Sequence, residues 1–264
     1  MDCDLESALT VKHMTDGQFT SYAPPNYESH NGMFGGWTTA VALRAVMQGD
    51  EGSATPSAIT INFVDKIEPG TEVAVHTRRV GGGRSISHWQ AELMTQDQRN
   101  TLAVASVALT ERRESDGRTD VVMPEAPDPD TLEVIHPAAG IVGQRILFCA
   151  ITGNPPFGRT DSTSTAWVRE ISGRSIDPLQ LAFLADCRAP RSFFWSDGPR
   201  LSATIMLSVY FHATALEFDE IGDDYVLSEA FGIRGTRSTS EEHLRIWSRA
   251  GALLATSEQL AWYR

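Results

Sequence analysis

Lysine is almost missing from this sequence. Lys12 and Lys66 are the only two, and every other basic residue is an arginine, whose planar fork suits phosphate and carboxylate groups. Positive charge as a whole is scarce: 22 basic against 34 acidic residues leave a formal charge of −12. That excludes a protein that tracks nucleic acid by a net positive field, though not a local basic patch for a small anion. Cysteine is scarce as well. Cys3, Cys149 and Cys187 are odd in number, scattered and never in a CxxC pair, which argues against a disulfide framework or a thiolate zinc site and fits a reducing compartment. Long hydrophobic runs are lacking too. The longest nearly apolar stretch, 102–109, cannot span a bilayer, and the start of the chain lacks the apolar core of a signal peptide. A soluble cytoplasmic protein is expected.

Several chemical signatures are also missing. There is no GxSxG elbow, no GxxxxGK[ST] phosphate loop and no HExxH pair. The run Gly81-Gly82-Gly83 precedes a strand pattern and reads as a hairpin turn rather than a dinucleotide loop. No metal and no redox cofactor are expected.

What is present is a repeat. Residues 111–130 are polar, charged and punctuated by proline, and the same order of elements stands on either side. The first half has an apolar helix candidate at 33–47, then strand candidates at 57–67, 71–80, 84–95 and 100–113. The second has a helix candidate at 177–187, then strands at 201–213, 225–235, 236–249 and 253–264. Arg84-Ser85-Ile86-Ser87 matches Arg237-Ser238-Thr239-Ser240, Ala105-Ser106 matches Thr256-Ser257, and Phe63 matches Phe211. A helix that is apolar nearly all round must be buried on most sides, and a curved antiparallel sheet wrapped around it achieves this. Each half therefore reads as one helix followed by a meander, with two copies sharing a continuous sheet. The class is α+β, divided into an N-terminal repeat at 1–113, a linker at 114–140 and a C-terminal repeat at 141–264.

Three polar residues interrupt this pattern. Asp186 closes an otherwise apolar helix run that starts at the cap-and-proline pair Asp177-Pro178. A carboxylate there costs free energy unless partnered, and Arg188, Arg191 or solvent could satisfy it. Thr204 lies in the next strand, where threonine is ordinarily just a good strand former. Gln259 lies in the last strand, where its amide demands partners if buried. Singly, none makes a site.

Together, LQLAFLADC (179–187), ATIMLSVYFHA (203–213), ATSEQLAWYR (255–264) and HNGMFGGW (30–37) resemble the TesB-type (thioesterase II) acyl-CoA thioesterases, which are double-hotdog proteins. The resemblance implies a double hotdog in which Asp186, Thr204 and Gln259 orient a water that hydrolyses an acyl-CoA to free acid and CoA. Many relatives carry an Asp-His pair where this chain has Met206-Leu207. A homo-oligomer is implied by the resemblance alone.

The chemistry is coherent by itself. A thioester needs an oriented water and a base rather than a covalent nucleophile, and a positioned base contributes about 10²–10⁴-fold. The N-terminus of the first helix offers backbone N–H groups to an oxyanion, and Gly35 and Gly36 allow close approach of a ligand. His30 and Trp37 are further candidates for substrate contact, although a loop cap and core packing explain them as readily. Arg84 and Arg237, at equivalent places in the repeats, are candidates for the CoA phosphates; solvated strand-end arginines are the plainer alternative. Two rival functions stay open: an enoyl-thioester hydratase or dehydratase on the same scaffold, and a non-catalytic acyl-thioester-binding protein.

Overall fold

A computed structural model describes residues 3–50 and 52–264. The first half runs α1 (Leu5–Ala8), β1 (Lys12–Thr15), β2 (Gln18–Tyr22), the small hairpin β3 (Glu28–Ser29) and β4 (Gly32–Met33), then α2 (Gly35–Gly49). Four strands follow: β5 (Thr55–Phe63), β6 (Glu72–Gly82), β7 (Ile86–Thr95) and β8 (Thr101–Thr110). The second half repeats the plan with β9 (Ile146–Thr152), β10 (Ser164–Glu170), α3 (Pro178–Leu184) and β11 (Ser202–Phe211). It ends with α4 (Ala215–Ile221), β12 (Val226–Phe231), β13 (Gly235–Thr236), β14 (Thr239–Trp247) and β15 (Leu253–Tyr263).

One large antiparallel sheet has the order β1-β2-β6-β7-β8-β5-β11-β15-β14-β12-β10-β9, with β13 attached to β14. The halves are related by an approximate two-fold axis through the antiparallel β5–β11 pairing, which runs from Ala58 opposite Tyr210 to Asn62 opposite Met206. The sheet is therefore continuous and wraps both helices, the double hotdog that the resemblance implied. Ala40, Val41, Leu43 and Val46 of α2 are fully buried, and each of the larger three contributes about 1.5–3 kcal/mol by leaving water. Two threonines inside this helix are satisfied locally: Thr38 and Thr39 donate to the carbonyls of Phe34 and Gly35. The N-terminus of α3 follows its sequence signal, with Asp177 accepting from the Gln180 N–H and Pro178 in the first turn.

The structure corrects the sequence reading in three places. Each of the central helices α2 and α3 is preceded by two strands of the large sheet, β1 and β2 or β9 and β10, so neither half is simply a helix followed by a meander. The helix α3 stops at Leu184, leaving Asp186 in the turn beyond it. The match of Ala105-Ser106 to Thr256-Ser257 is one residue out. Ala105 lies opposite Ile61 and Ala91, while its counterpart Ser257 lies opposite Val209 and Leu244. A one-residue slip would have put every side chain of the strand on the wrong face.

The segment between the halves carries no helix or strand over 111–128. It is more than a tether, because Val121, Met123 and Ala126 pack against the cluster around Trp167 and Trp247, and the Trp167 indole donates to the Pro127 carbonyl at 2.8 Å.

Candidate active site

The N-terminus of α2 has no side-chain cap. Phe34 occupies the cap position and provides no acceptor, so the first-turn amides need a partner from elsewhere. Asp186 supplies it: Oδ2 accepts from the Gly36 N–H at 3.0 Å. The approach is possible only because the first two helical residues are glycines. A Cβ on Gly35 would stand 2.6 Å from Asp186 Oδ2, and one on Gly36 would stand 2.2 Å from the Phe183 carbonyl oxygen. These two positions bring the start of α2 and the end of α3 together.

The other carboxylate oxygen, Oδ1, accepts from Gln259 Nε2 at 2.6 Å. The same amide nitrogen donates to Thr204 Oγ1 at 2.7 Å. Both side chains reach this point through strand geometry. Gln259 lies on the inward face of β15, in step with buried Ser257 and Ala261. On β11 the inward residues are Phe211, Val209 and Leu207, and simple alternation would next turn Ile205 inward. The register shifts between Thr204 and Met206. This bulge turns exposed Ile205 outward and Thr204 inward, opposite Ala261.

Burial pushes the Asp186 carboxyl up to about 7, and the negative charge of Glu242 adds to the effect, while the N–H groups of Gln259 and Gly36 oppose it. A carboxyl of that strength exchanges a proton near neutrality. The neighbouring thiol cannot do so, because burial drives Cys187 up to about 12. The arginines that the sequence offered as partners of Asp186 are engaged elsewhere. Arg191 pairs with Glu242 at 2.6 Å, and Arg188 donates to Ser164 Oγ at 2.7 Å.

Asp186, Thr204, Gln259, Gly35 and Gly36 thus converge, and the remaining candidates do not join them. Trp37 is fully buried, with its indole donating to the Ala8 carbonyl at 2.8 Å, so it packs the core. His30 is 3.0 Å from the Ala138 carbonyl and ties its loop to the inter-repeat segment. Arg84 and Arg237 are both exposed at hairpin tips. Five successive antiparallel pairings separate β7 from β14, so the two tips lie at opposite ends of the sheet. Of the two, Arg237 shares the end that carries Thr204 and Gln259. Among the described residues no group of three or more His, Cys, Asp or Glu could hold a metal ion. No helix of the described residues is long and apolar enough to cross a membrane.

Sequence reasoning missed Glu242 and the role of Arg191. Glu242 sits in the charged run 241–243, which suggests a solvated strand. The signal was the alternation of Ser240, Leu244 and Ile246, which places residue 242 on their buried face.

Two profiles of known protein families together cover most of the chain. The acyl-CoA thioesterase N-terminal domain matches residues 23–110, and the acyl-CoA thioesterase C-terminal domain matches residues 118–263. The chain belongs to the acyl-CoA thioesterase family. Among solved structures, this family member is similar to a conserved hot dog protein of unknown function from Alicyclobacillus acidocaldarius. The two are 26% identical with a TM-score of 0.92, covering 98% of this chain and 97% of that one. The TesB protein of Mycobacterium avium subsp. paratuberculosis shares the fold at 18% identity and a TM-score of 0.82, with 98% and 97% covered. The acyl-CoA thioesterase II TesB2 of Mycobacterium marinum shares it at 14% identity and a TM-score of 0.79, again with 98% and 97% covered. No curated protein matches the sequence.

Proposed function

We propose that this thioesterase-family protein hydrolyses an acyl-CoA thioester to the free acid and CoA, using a water held by Asp186, Thr204 and Gln259. The observation that carries this reading is the hydrogen-bonded chain Thr204–Gln259–Asp186, which ends on the first turn of α2. Thr204 accepts from Gln259, so its own hydroxyl proton is free to be donated onward. Asp186 takes a proton from the water as the oxygen attacks the thioester carbon. The carbonyl oxygen becomes an oxyanion beside the positive end of α2, whose first-turn amides have no intrahelical acceptor. Collapse of the tetrahedral intermediate breaks the C–S bond, and the proton held by Asp186 passes to the departing sulfur. Arg237, at the same end of the sheet, is the better placed of the two sequence candidates to meet the CoA phosphates.

The hydratase reading loses ground to this one. Such chemistry calls for a histidine beside the acid, yet His212 is 3.1 Å from Thr256 Oγ1, at the far end of β11 from Thr204. The test is thiol release, followed with a chromogenic thiol reagent across acyl-CoA chain lengths. Hydration of an enoyl thioester frees no thiol. If the folded protein binds acyl-CoA esters and releases thiol from none, the hydrolase reading fails in favour of a binding protein.

A further inference from the structure

Behind the Asp186–Gln259 contact lies an ion pair sealed from water. Arg191 is 1% exposed and Glu242 5%, with Arg191 Nε 2.6 Å from Glu242 Oε2. Arg191 is held on its other side by the Ser162 carbonyl at 2.7 Å, Ser164 Oγ at 3.0 Å and the Ala189 carbonyl at 2.6 Å. Its guanidinium lies over the Phe194 ring. Glu242 is the cross-strand partner of Gln259, and both face inward, so their side chains are neighbours on one face. Arg191 belongs to the same short segment as Asp186. The pair therefore joins the two pieces of chain whose side chains must meet, the segment after α3 and the β14–β15 pair.

The fold itself does not demand this pair. A buried ion pair is weak as a source of stability, since desolvating two charges costs about as much as their attraction returns. The first half builds the same place without charge: Trp89 faces Val107 where Glu242 faces Gln259. We propose that Glu242 and Arg191 are positioning residues for the Asp186–Gln259–Thr204 chain, acting through geometry and through their charges. Glu242 stands behind Gln259; burial raises its pKa, and Arg191 opposes that rise and favours the anion. The ionisable groups around Asp186 are Glu242 from β14 and Cys187, Arg188 and Arg191 from its own segment; α2 contributes the Gly36 N–H. His243, beside Glu242, faces the other side of β14. Among these, Glu242 is the anion that makes Asp186 a stronger base.

This inference rests on the hydrolase reading, and its test separates the two. Glu242→Gln keeps the shape and removes the anion, leaving Arg191 unopposed. Both changes favour ionised Asp186, so the acid limb of the kcat profile should move down by about one pH unit with KM little changed. The Asp186 carboxyl, titrated by carbon NMR, should move with it. An acid limb and an Asp186 titration identical to wild type would overturn the proposal. If Glu242→Gln does not fold, the double variant Arg191→Met with Glu242→Gln removes both charges of the pair. In that variant a kcat lowered at least about tenfold at unchanged KM supports positioning, and a wild-type kcat overturns it. A wild-type protein that frees no thiol sinks the hydrolase reading alone, because the NMR titration still decides what Glu242 does to Asp186.

Discussion

The two halves of the molecule offer the same scaffold at opposite ends of the sheet, and the inward polar side chains gather at one end only. At the Asp186 end, β11 has a bulge after Thr204, and Thr204, Gln259 and Glu242 face inward. At the other end β5 has the matching bulge after Pro56, and the corresponding places hold Pro56, Val107 and Trp89. The helix ends differ in the same sense. The start of α2 has no cap of its own and receives Asp186. The start of α3 is capped by Asp177, which Arg174 holds at 2.6 Å; Arg174 also bonds Glu6, and Glu6 bonds Arg44. One helix N-terminus is closed by ordinary capping and surface ion pairs, the other by a single carboxylate pushed toward neutrality. The repeat presents two equivalent places, and three or four side chains make them different.

The strongest way to break this contrast is to remove the base. Asp186→Asn should lower kcat by at least about 10²-fold while the fold is kept, the low end for loss of a general base. Near-wild-type thiol release from that variant would remove Asp186 from the mechanism. Gln259→Val copies Val107, the residue at the equivalent place in the first half. It should cost about 10–100-fold in kcat, the rate equivalent of a hydrogen bond to a charged group worth ~1.5–3 kcal/mol; an unchanged kcat would show that Gln259 is only structural. Gly36→Ala forces a methyl onto the Phe183 carbonyl and should destabilise the protein by about 1–3 kcal/mol, measured by denaturant unfolding.

The pH dependence sharpens the same point. Turnover should rise with pH through about 7 as Asp186 ionises. Stability should run the other way. The folded carboxyl holds its proton more tightly than the unfolded one, so the folded state binds more protons between the unfolded value near 4 and about 7, and stability falls as pH rises across that window. Asp186→Asn should abolish this fall and leave a variant with a higher Tm than wild type at pH 8; an equal or lower Tm counts against burial of the charge. The smallest effect belongs to the opposite end. Arg174→Ala should leave kcat unchanged and cost about 1 kcal/mol or less, because Glu6 is half exposed and its pairs are screened.

Much of this contrast was readable from residue order. The apolar run that became α2 announced a wrapped helix, and the repeated Arg-Ser start of β7 and β14 announced the duplication. Asp186 was visible as an acid out of place, and Gln259 as an amide in a strand. Other parts left no periodic trace. All four residues of β1 are exposed, while β10 is buried on nearly every position, so neither shows alternation. The bulge at Ile205 is a backbone event between two strands, and it decides where Thr204 points. Opposite strand directions put Arg84 and Arg237 at different ends, which sequence equivalence alone could not reveal.

The position of β15 has a consequence for how the protein comes to life on the ribosome. This strand is the last in chain order, yet in the sheet it lies between β11 and β14. Gln259 travels on it, so the amides of α2 and the carboxylate of Asp186 are made long before the group that links them to Thr204. Until β15 lies between β11 and β14, the chain Thr204–Gln259–Asp186 lacks its middle member. In the proposed centre, the residues at its two ends therefore precede in the chain the one that links them.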